Sequence, residues 1–287
     1  MPSMKMLRRR LASVTTTKKI MKAMNMVAAS KLQKNRHRLE HARPFFNDVW
    51  KTMESLKTDE RVSDNIFLTP RPVKNTAYLV VTGDRGLCGS FNINAAEHAL
   101  NHMNASPAST DIIAVGLKGR SYFQRHGKHI LMGYDDVLET AFYEDAERIS
   151  RYLTELYASG GADEIYVAYT QLKSVLVHVP RVVKILPVAN NPGDPAATNE
   201  MSYEPDLPVF LDHAIPMYLS AAVYFALLES SACEQAARMV SMDTAEKNAS
   251  DIIDKLTRVY NRRRQASITQ ELSEVAGGTN LLNDTER

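Results

Sequence analysis

Only two cysteines occur in 287 residues, Cys88 and Cys233, and they lie far apart. That excludes a disulfide framework as the source of stability and fits a reducing compartment. Glycine and proline are scarce, at 12 each, against 44% apolar and 24% charged residues. The chain is therefore not collagenous, low-complexity or disordered. No uninterrupted apolar run approaches the roughly 18 residues of a membrane span, which reads as a chain that does not cross a bilayer by itself. One large domain or two modest ones fit this length, with enough residues to bury a core.

Acids are missing from one end. Residues 1–43 hold twelve Lys or Arg (Lys5, Arg8, Arg9, Arg10, Lys18, Lys19, Lys22, Lys31, Lys34, Arg36, Arg38, Arg43) and one acid, Glu40. That end carries +11 and the rest −9, although the net charge is only +2. Such asymmetry points to an acidic partner surface or to nucleic acid. The first twenty residues, basic, Ser/Thr-rich and free of acids, also have the composition of a mitochondrial transit peptide. The apolar pattern running unbroken past Glu40 argues against cleavage there.

That pattern is Leu7, Leu11, Val14, Met21, Met24, Ala28, Leu32, Leu39, Ala42, Phe46, Val49, Met53, Leu56, with Thr17 and Asn35 filling two seam positions. Steps of three and four predict one helix over residues 3–57, about 80 Å long. The consecutive steps of four at Met24, Ala28 and Leu32 read as a stutter, and Pro44 as a kink. A second helical pattern runs from Pro208 to about Leu282, with no glycine before Gly277. Its stripe takes in Leu219, Ala222, Ala226, Cys233, Ala237, Val240, Ala249, Ile252, Leu256 and Val259. Ala232, Ala236, Ala237, Ala245 and Ala249 leave room for a partner helix at close range. Seventy-five helical residues span roughly 110 Å, whereas a compact globule of this chain length is about 50 Å across. The two stripes are best buried against each other as a coiled coil, giving a rod with a head.

Between the helices the texture changes. Strand patterns at 77–81, 112–115, 164–169 and Ser174–Ile185 alternate with helical ones near 91–104, 117–126 and 143–160, which predicts an open, largely parallel α/β layer domain. The division is 1–58 for the first helix, 59–75 for a linker with Pro70 and Pro72, 76–186 for the α/β domain, 187–207 for a second proline-rich linker, and 208–287 for the last helix. After the first strand stands Thr82-Gly83-Asp84-Arg85-Gly86-Leu87-Cys88-Gly89-Ser90. Its G-x-x-G-x-x-G spacing is neither the dinucleotide fingerprint nor a P-loop, and no acid ends the next strand. A tight turn with positive φ and close backbone approach is the favoured reading over a phosphate cradle.

His37-Arg38-Leu39-Glu40-His41 matches the H-x-x-E-H zinc-peptidase string, but it lies in a basic helix with Leu39 on the buried seam. His98 and His102, one helical turn apart, fit a metal pair or, more commonly, two exposed histidines. No Ser/His/Asp or Cys/His set stands out. From the residues alone three classes remain: a mechanical or structural coiled-coil subunit, a small Rossmann-type enzyme with helical arms, and a basic coiled-coil binder of nucleic acid with steep salt dependence.

Three segments in order narrow the choice. Ile20-Met21-Lys22-Ala23-Met24-Asn25-Met26-Val27-Ala28-Ala29-Ser30-Lys31-Leu32, then Gly83-Asp84-Arg85-Gly86-Leu87-Cys88-Gly89, then Tyr260-Asn261-Arg262-Arg263-Arg264-Gln265-Ala266-Ser267-Ile268-Thr269-Gln270-Glu271-Leu272 together resemble the gamma subunit of the F-type ATP synthase. Glu234-Gln235-Ala236-Ala237-Arg238-Met239 is a fourth match. The resemblance implies an antiparallel, asymmetric coiled coil of the terminal helices and a Rossmann-like domain that binds no nucleotide or other cofactor. It also implies a non-catalytic rotor shaft. Its partners would be the α and β subunits of the catalytic hexamer, the ε subunit and the membrane c-ring, with no nucleic acid. Carried over position by position, Met24 with Lys22 faces the β subunits, and Arg264, Gln265 and Thr269 form a polar contact to β. Acidic β-subunit loops become the candidate partner of the basic stretch. The implied location is the cytoplasmic face of a bacterial plasma membrane, with the mitochondrial inner membrane as the alternative. Asn25, the acidic Ser241–Glu246 stretch, Cys233 and the polar tail after Gly278 depart from the family pattern. Paired cysteines of a redox insert are absent.

Overall fold

A computed structural model describes residues 4–56, 65–188 and 206–285. Helix α1 (Met4–Leu56) runs through Pro44, and helix α6 (Leu207–Thr285) runs through Pro216 and both glycines near its end. The second helix thus ends three residues past the expected Leu282, and Gly277 and Gly278 weaken it without terminating it. Of the two expected linkers, residues 59–64 of the first (59–75) and 189–205 of the second (187–207) lie outside the described residues.

The intervening elements are β1 (Asn75–Val81), α2 (Phe91–Ala105), β2 (Ser109–Val115), α3 (Leu117–Arg125), β3 (Ile130–Tyr134), α4 (Val137–Thr140), α5 (Tyr143–Ala158), β4 (Glu164–Leu172) and β5 (His178–Leu186). They form one sheet of order β3-β2-β1-β4-β5. All pairs are parallel except β4 with β5. The sequence pattern missed β3 and α4. β3 is a short edge strand carrying Gly133, and its half-buried residues show no clean alternation. The strand expected from Ser174 begins at His178 instead. Ser174 Oγ accepts the backbone N–H groups of Leu176 and Val177, which closes a turn and leaves Leu176 76% exposed.

The sheet has two buried faces. Tyr78 and Val80 of β1, with Ile112 and Ala114 of β2, pack against α2 and α3 through Ala96, Ala99, Met103 and Phe123. The alternate residues Ala77, Leu79, Val81, Ile113 and Val115 face the opposite way into the main core with α5, α6 and α1. Burial on both sides explains the near-continuous apolar runs of the parallel strands.

Two compact units divide the chain: one is Ala28–Val240, and the other joins α1 up to Val27 with α6 from Ser241 onward. Within the Ala28–Val240 unit, α1 and α6 run antiparallel. Asn35 Nδ2 donates to Ser231 Oγ at 2.9 Å, Phe46 stacks on Phe225 at 4.3 Å, and Trp50 lies 5.8 Å from Tyr218. Numbers rise on one helix as they fall on the other. Leu32 packs on Ala232 and Ala236, where the small side chains admit it. Between Leu219 and Ala236, α6 is buried almost all round, because α1 covers one side and the sheet the other. Cys233 donates to Thr170 O, and the Thr170 N–H donates to Ser230 Oγ at 3.1 Å, so α6 also satisfies the end of β4.

α6 does contain a window apolar enough to cross a membrane, although scattered polar residues interrupt it. Here 67% of that window is buried inside the protein, as expected of a core helix. Each buried leucine in it contributes about 1.5–3 kcal/mol.

In the other unit the seam reads Leu7, Leu11, Val14, Lys18, Met21 and Met24 on α1, and Met242, Ala245, Ala249, Ile253, Leu256 and Tyr260 on α6, each buried or half-buried. Three of the expected seam residues, Thr17, Ile252 and Val259, lie off the seam. Lys18 occupies the position assigned to Thr17, which is exposed; a lysine stem covers apolar surface while its ammonium reaches water. Ile252 and Val259 are 43% and 49% exposed, and their neighbours Ile253 and Tyr260 take the seam. An unbroken 3.6-residue helix drifts against a strict seven-residue count, so such slips of one residue accumulate.

Candidate partner-contact surfaces

The strand order reverses at β1, so the crevice beyond its carboxyl end is where a doubly wound sheet would hold a nucleotide. In this chain protein groups occupy it. A Cβ on Gly83 would lie 2.6 Å from Glu234 Oε1 of α6. The Gly83 N–H donates to Asn92 Oδ1 at 2.7 Å. Asp84 accepts the Leu117 N–H on Oδ1 at 2.9 Å and the Asp136 N–H on Oδ2 at 3.1 Å. A carboxylate of the chain itself thus sits at the α3 N-terminus, where a phosphate would be bound. Arg238 closes the crevice by pairing with Glu234 at 2.6 Å, with side chains only 12% and 5% exposed. Burial pushes the Glu234 carboxyl above its ordinary range, and Arg238 pulls it partly back.

The glycines of this loop serve different ends. Gly83 is needed for the approach of α6, Gly89 for its φ of 58°, and Gly86 for neither, having nothing within 4 Å. Leu87 holds φ 62° while its side chain is 62% exposed. Left-handed backbone costs a branched residue about 1–2 kcal/mol, so Leu87 displays an apolar side chain to water from a strained position. Arg85 beside it is 73% exposed and lies 3.3 Å from Glu139. The sequence favoured a tight turn here over a phosphate cradle and assigned neither Arg85 nor Leu87 a contact. The missed signal was an arginine and a leucine where a turn would take small polar residues.

Glu139 on α4 also receives Lys31 of α1, at 2.7 Å on its other oxygen. Its carboxyl lies below the usual range, chiefly through the hydrogen bond from Lys31. Arg38 of α1 donates to Thr140 O at 2.6 Å and to Ala141 O. Exposed pairs of this kind contribute about 0–1 kcal/mol each.

The five residues carried over from the resemblance all lie in the unit formed by the start of α1 and the end of α6. Lys22 is exposed and Met24 half-buried; two residues apart is about 200° of helix, so they face different ways. Arg264, Gln265 and Thr269 are all exposed, while Arg263 and Ser267 near them on the helix are half-buried. The Thr269 hydroxyl donates to Gln265 O at 2.9 Å, which places those two on one face. Lys5, Arg8, Arg9, Arg10, Lys19 and Lys22 are exposed as well.

His37 and His41 contact each other at 3.2 Å, and His102 Nδ1 meets Tyr78 OH at 2.9 Å. Burial, aided by His98, lowers the affinity of His102 for a proton. No cluster of metal-binding side chains occurs among the described residues.

Two long helices, paired antiparallel within the Ala28–Val240 unit beside a mostly parallel sheet, define an α/β protein whose first and last elements are its longest helices. Comparison with known proteins gives the family. The ATP synthase family model matches residues 3–282. The ATP synthase gamma chain of Alkaliphilus metalliredigens is 41% identical, over 96% of this chain and 97% of its own length. That of Pelotomaculum thermopropionicum is 39% identical, over 98% and 100%. Among solved structures, a chain of the central stalk/c-ring of Tetrahymena thermophila mitochondrial ATP synthase matches with a TM-score of 0.65 at 28% identity, covering 79% of this chain and 99% of that one. The chain belongs to the ATP synthase gamma-chain family; it is a stalk subunit of that membrane-associated complex and not its catalytic subunit.

Proposed function

We propose that the chain is the rotor shaft that couples ion-driven turning of a membrane c-ring to conformational cycling of catalytic β subunits, for ATP synthesis or hydrolysis. The match to gamma chains over almost the whole length carries this reading, together with the antiparallel pairing of α1 and α6. The partners are the α and β subunits, the ε subunit and the c-ring. The protein is then peripheral to the membrane through its complex, on the cytoplasmic face of a bacterial plasma membrane. Met24, Lys22, Arg264, Gln265 and Thr269 serve as contacts to β, and the cations at the start of α1 meet acidic β loops.

A shaft can drive such cycling because its sides differ. Around the end of α6 one side shows Arg264 and another Gln265 with Thr269, so each orientation presents different chemistry to a given β subunit. A ligand shifts an equilibrium only by its differential affinity for the two states. Moving a subunit from 1:99 to 99:1 requires about 5.5 kcal/mol of such difference, which several charge-assisted contacts together supply.

Tagged protein drawn from detergent-solubilised host membranes is expected to bring α, β, ε and c-type subunits with it, along with Mg-ATPase activity that the chain alone lacks. Combining Arg264→Ala, Gln265→Ala and Thr269→Ala should leave the ε and c companions in place and lower the yield of α and β. A solitary chain, or one carrying a bound dinucleotide, would overturn the proposal.

Leu87→Gly offers a separate check. Relief of left-handed strain, about 1–2 kcal/mol, outweighs the entropy cost of glycine, about 0.5–1 kcal/mol. The variant should unfold in urea at the same or slightly higher concentration, yet assemble less tightly with α and β. Loss of stability instead would show that the exposed leucine supports the fold.

A further inference from the structure

The glycine loop is tied to its surroundings at both ends of α4. Asp84 accepts the N–H of Asp136 just before that turn, and Arg85 reaches Glu139 within it. The turn itself is strained, since non-glycine residues flank it in the left-handed region: Asp136 at φ 59° and Ala141 at φ 45°. It is anchored from below by Val137 and Leu138, both buried, and from the side by Lys31 and Arg38 of α1. Glu139 therefore divides its two carboxylate oxygens between two cations: Lys31 of the long helix on Oε1 and Arg85 of the loop on Oε2. The two differ in how they are held. Lys31 is 41% exposed and bonded at 2.7 Å, whereas Arg85 is 73% exposed and stands 3.3 Å away. Of the two cations, Arg85 is the more open to an outside group and the more loosely held.

We propose that Glu139 is a positioning residue that competes with a partner carboxylate for the Arg85 guanidinium, so that docking of the glycine loop is reported to α1 through the Lys31–Glu139 pair. When the partner takes Arg85, Glu139 retains Lys31 alone, and α4 loses one of its two links to the loop while keeping its links to α1. The partner is a carboxylate-bearing protein surface, since Arg85 offers a planar, forked donor suited to one and Leu87 beside it offers apolar contact. This rests on the reading of the chain as a shaft that meets catalytic subunits.

The test is a double-mutant cycle on the full chain, measuring its affinity for the assembled α/β hexamer at low and moderate salt. Glu139→Gln releases Arg85 and is expected to tighten binding about threefold, the scale of one exposed ion pair, with the gain shrinking as salt rises. Arg85→Gln should weaken binding, and adding Glu139→Gln to it should then change nothing. Equal effects of Glu139→Gln with and without Arg85, or no tightening at all, would overturn the competition. Failure of the parent chain to bind the hexamer would overturn the shaft reading and the proposal with it. If Glu139→Gln lost its fold by circular dichroism, Glu139→Asp would replace it; one methylene shorter, it cannot span both cations and should show the same Arg85-dependent gain.

Discussion

Replacing Arg238 by methionine is expected to destabilise the protein by about 3–5 kcal/mol, the cost of leaving one member of a buried ion pair uncompensated. Glu234 would remain in the crevice against Gly83, where its side chain is 5% exposed. Burial already raises its proton affinity even with the guanidinium 2.6 Å away. Without Arg238 the carboxyl would take up a proton in the folded state, so the loss should be smaller at pH 5.5 than at pH 8. Adding Glu234→Gln should recover much of the stability, because a neutral amide fits the same space without a charge to bury. Urea unfolding of the two variants at both pH values checks this. A loss below about 1 kcal/mol at pH 8 would show that water reaches the crevice and screens the pair.

Five residues earlier on the same helix, Glu229 is expected to behave differently. Its side chain is 2% exposed, the nearest cation, Arg43, stands 3.9 Å away, and Oε2 has no hydrogen-bond partner. Burial pushes its carboxyl up to about 7 from 4.5, with Arg43 and Arg181 pulling the other way. Between those values the folded protein holds a proton that the unfolded chain has released. Stability from this group is therefore fully present below about pH 4.5 and is lost as pH rises through 7. The shift corresponds to roughly 3 kcal/mol. His102 and His178 work in the opposite sense, since their lowered proton affinity costs stability as pH falls. The difference between Glu229→Gln and the parent cancels them. That difference should be near zero at pH 4.5 and grow to about 2–3 kcal/mol in favour of the variant at pH 8. A flat difference across this range would mean that Glu229 is solvated in the folded state.

The contrast between two glutamates five residues apart shows what sequence leaves open. Both lie in an apolar helical stretch rich in alanine and serine, and nothing local separates them. Glu234 has Arg238 one turn along its own helix, a spacing visible in the sequence. The partner of Glu229 comes from α1, brought there only by the antiparallel register that sets Asn35 against Ser231 and Phe46 against Phe225.

By itself the sequence determined the two long helices, the alternation of strands and helices between them, and the charge asymmetry of the first 43 residues. These follow from periodicity and composition, which act over neighbouring residues. The motifs at Ile20–Leu32, Gly83–Gly89 and Tyr260–Leu272 added the family, since their order along the chain is also a local property. Tertiary structure alone decided which residues sit on the seam, where Lys18, Ile253 and Tyr260 replace Thr17, Ile252 and Val259. It also decided that β3 exists, that Glu234 and Asp84 fill the crevice, and that Lys31 and Arg85 share Glu139. The physical reason is common to all of these. Seam drift, edge pairing, crevice filling and shared carboxylates depend on distances between residues tens to hundreds of positions apart, and packing fixes those distances only once the helices and the sheet have met.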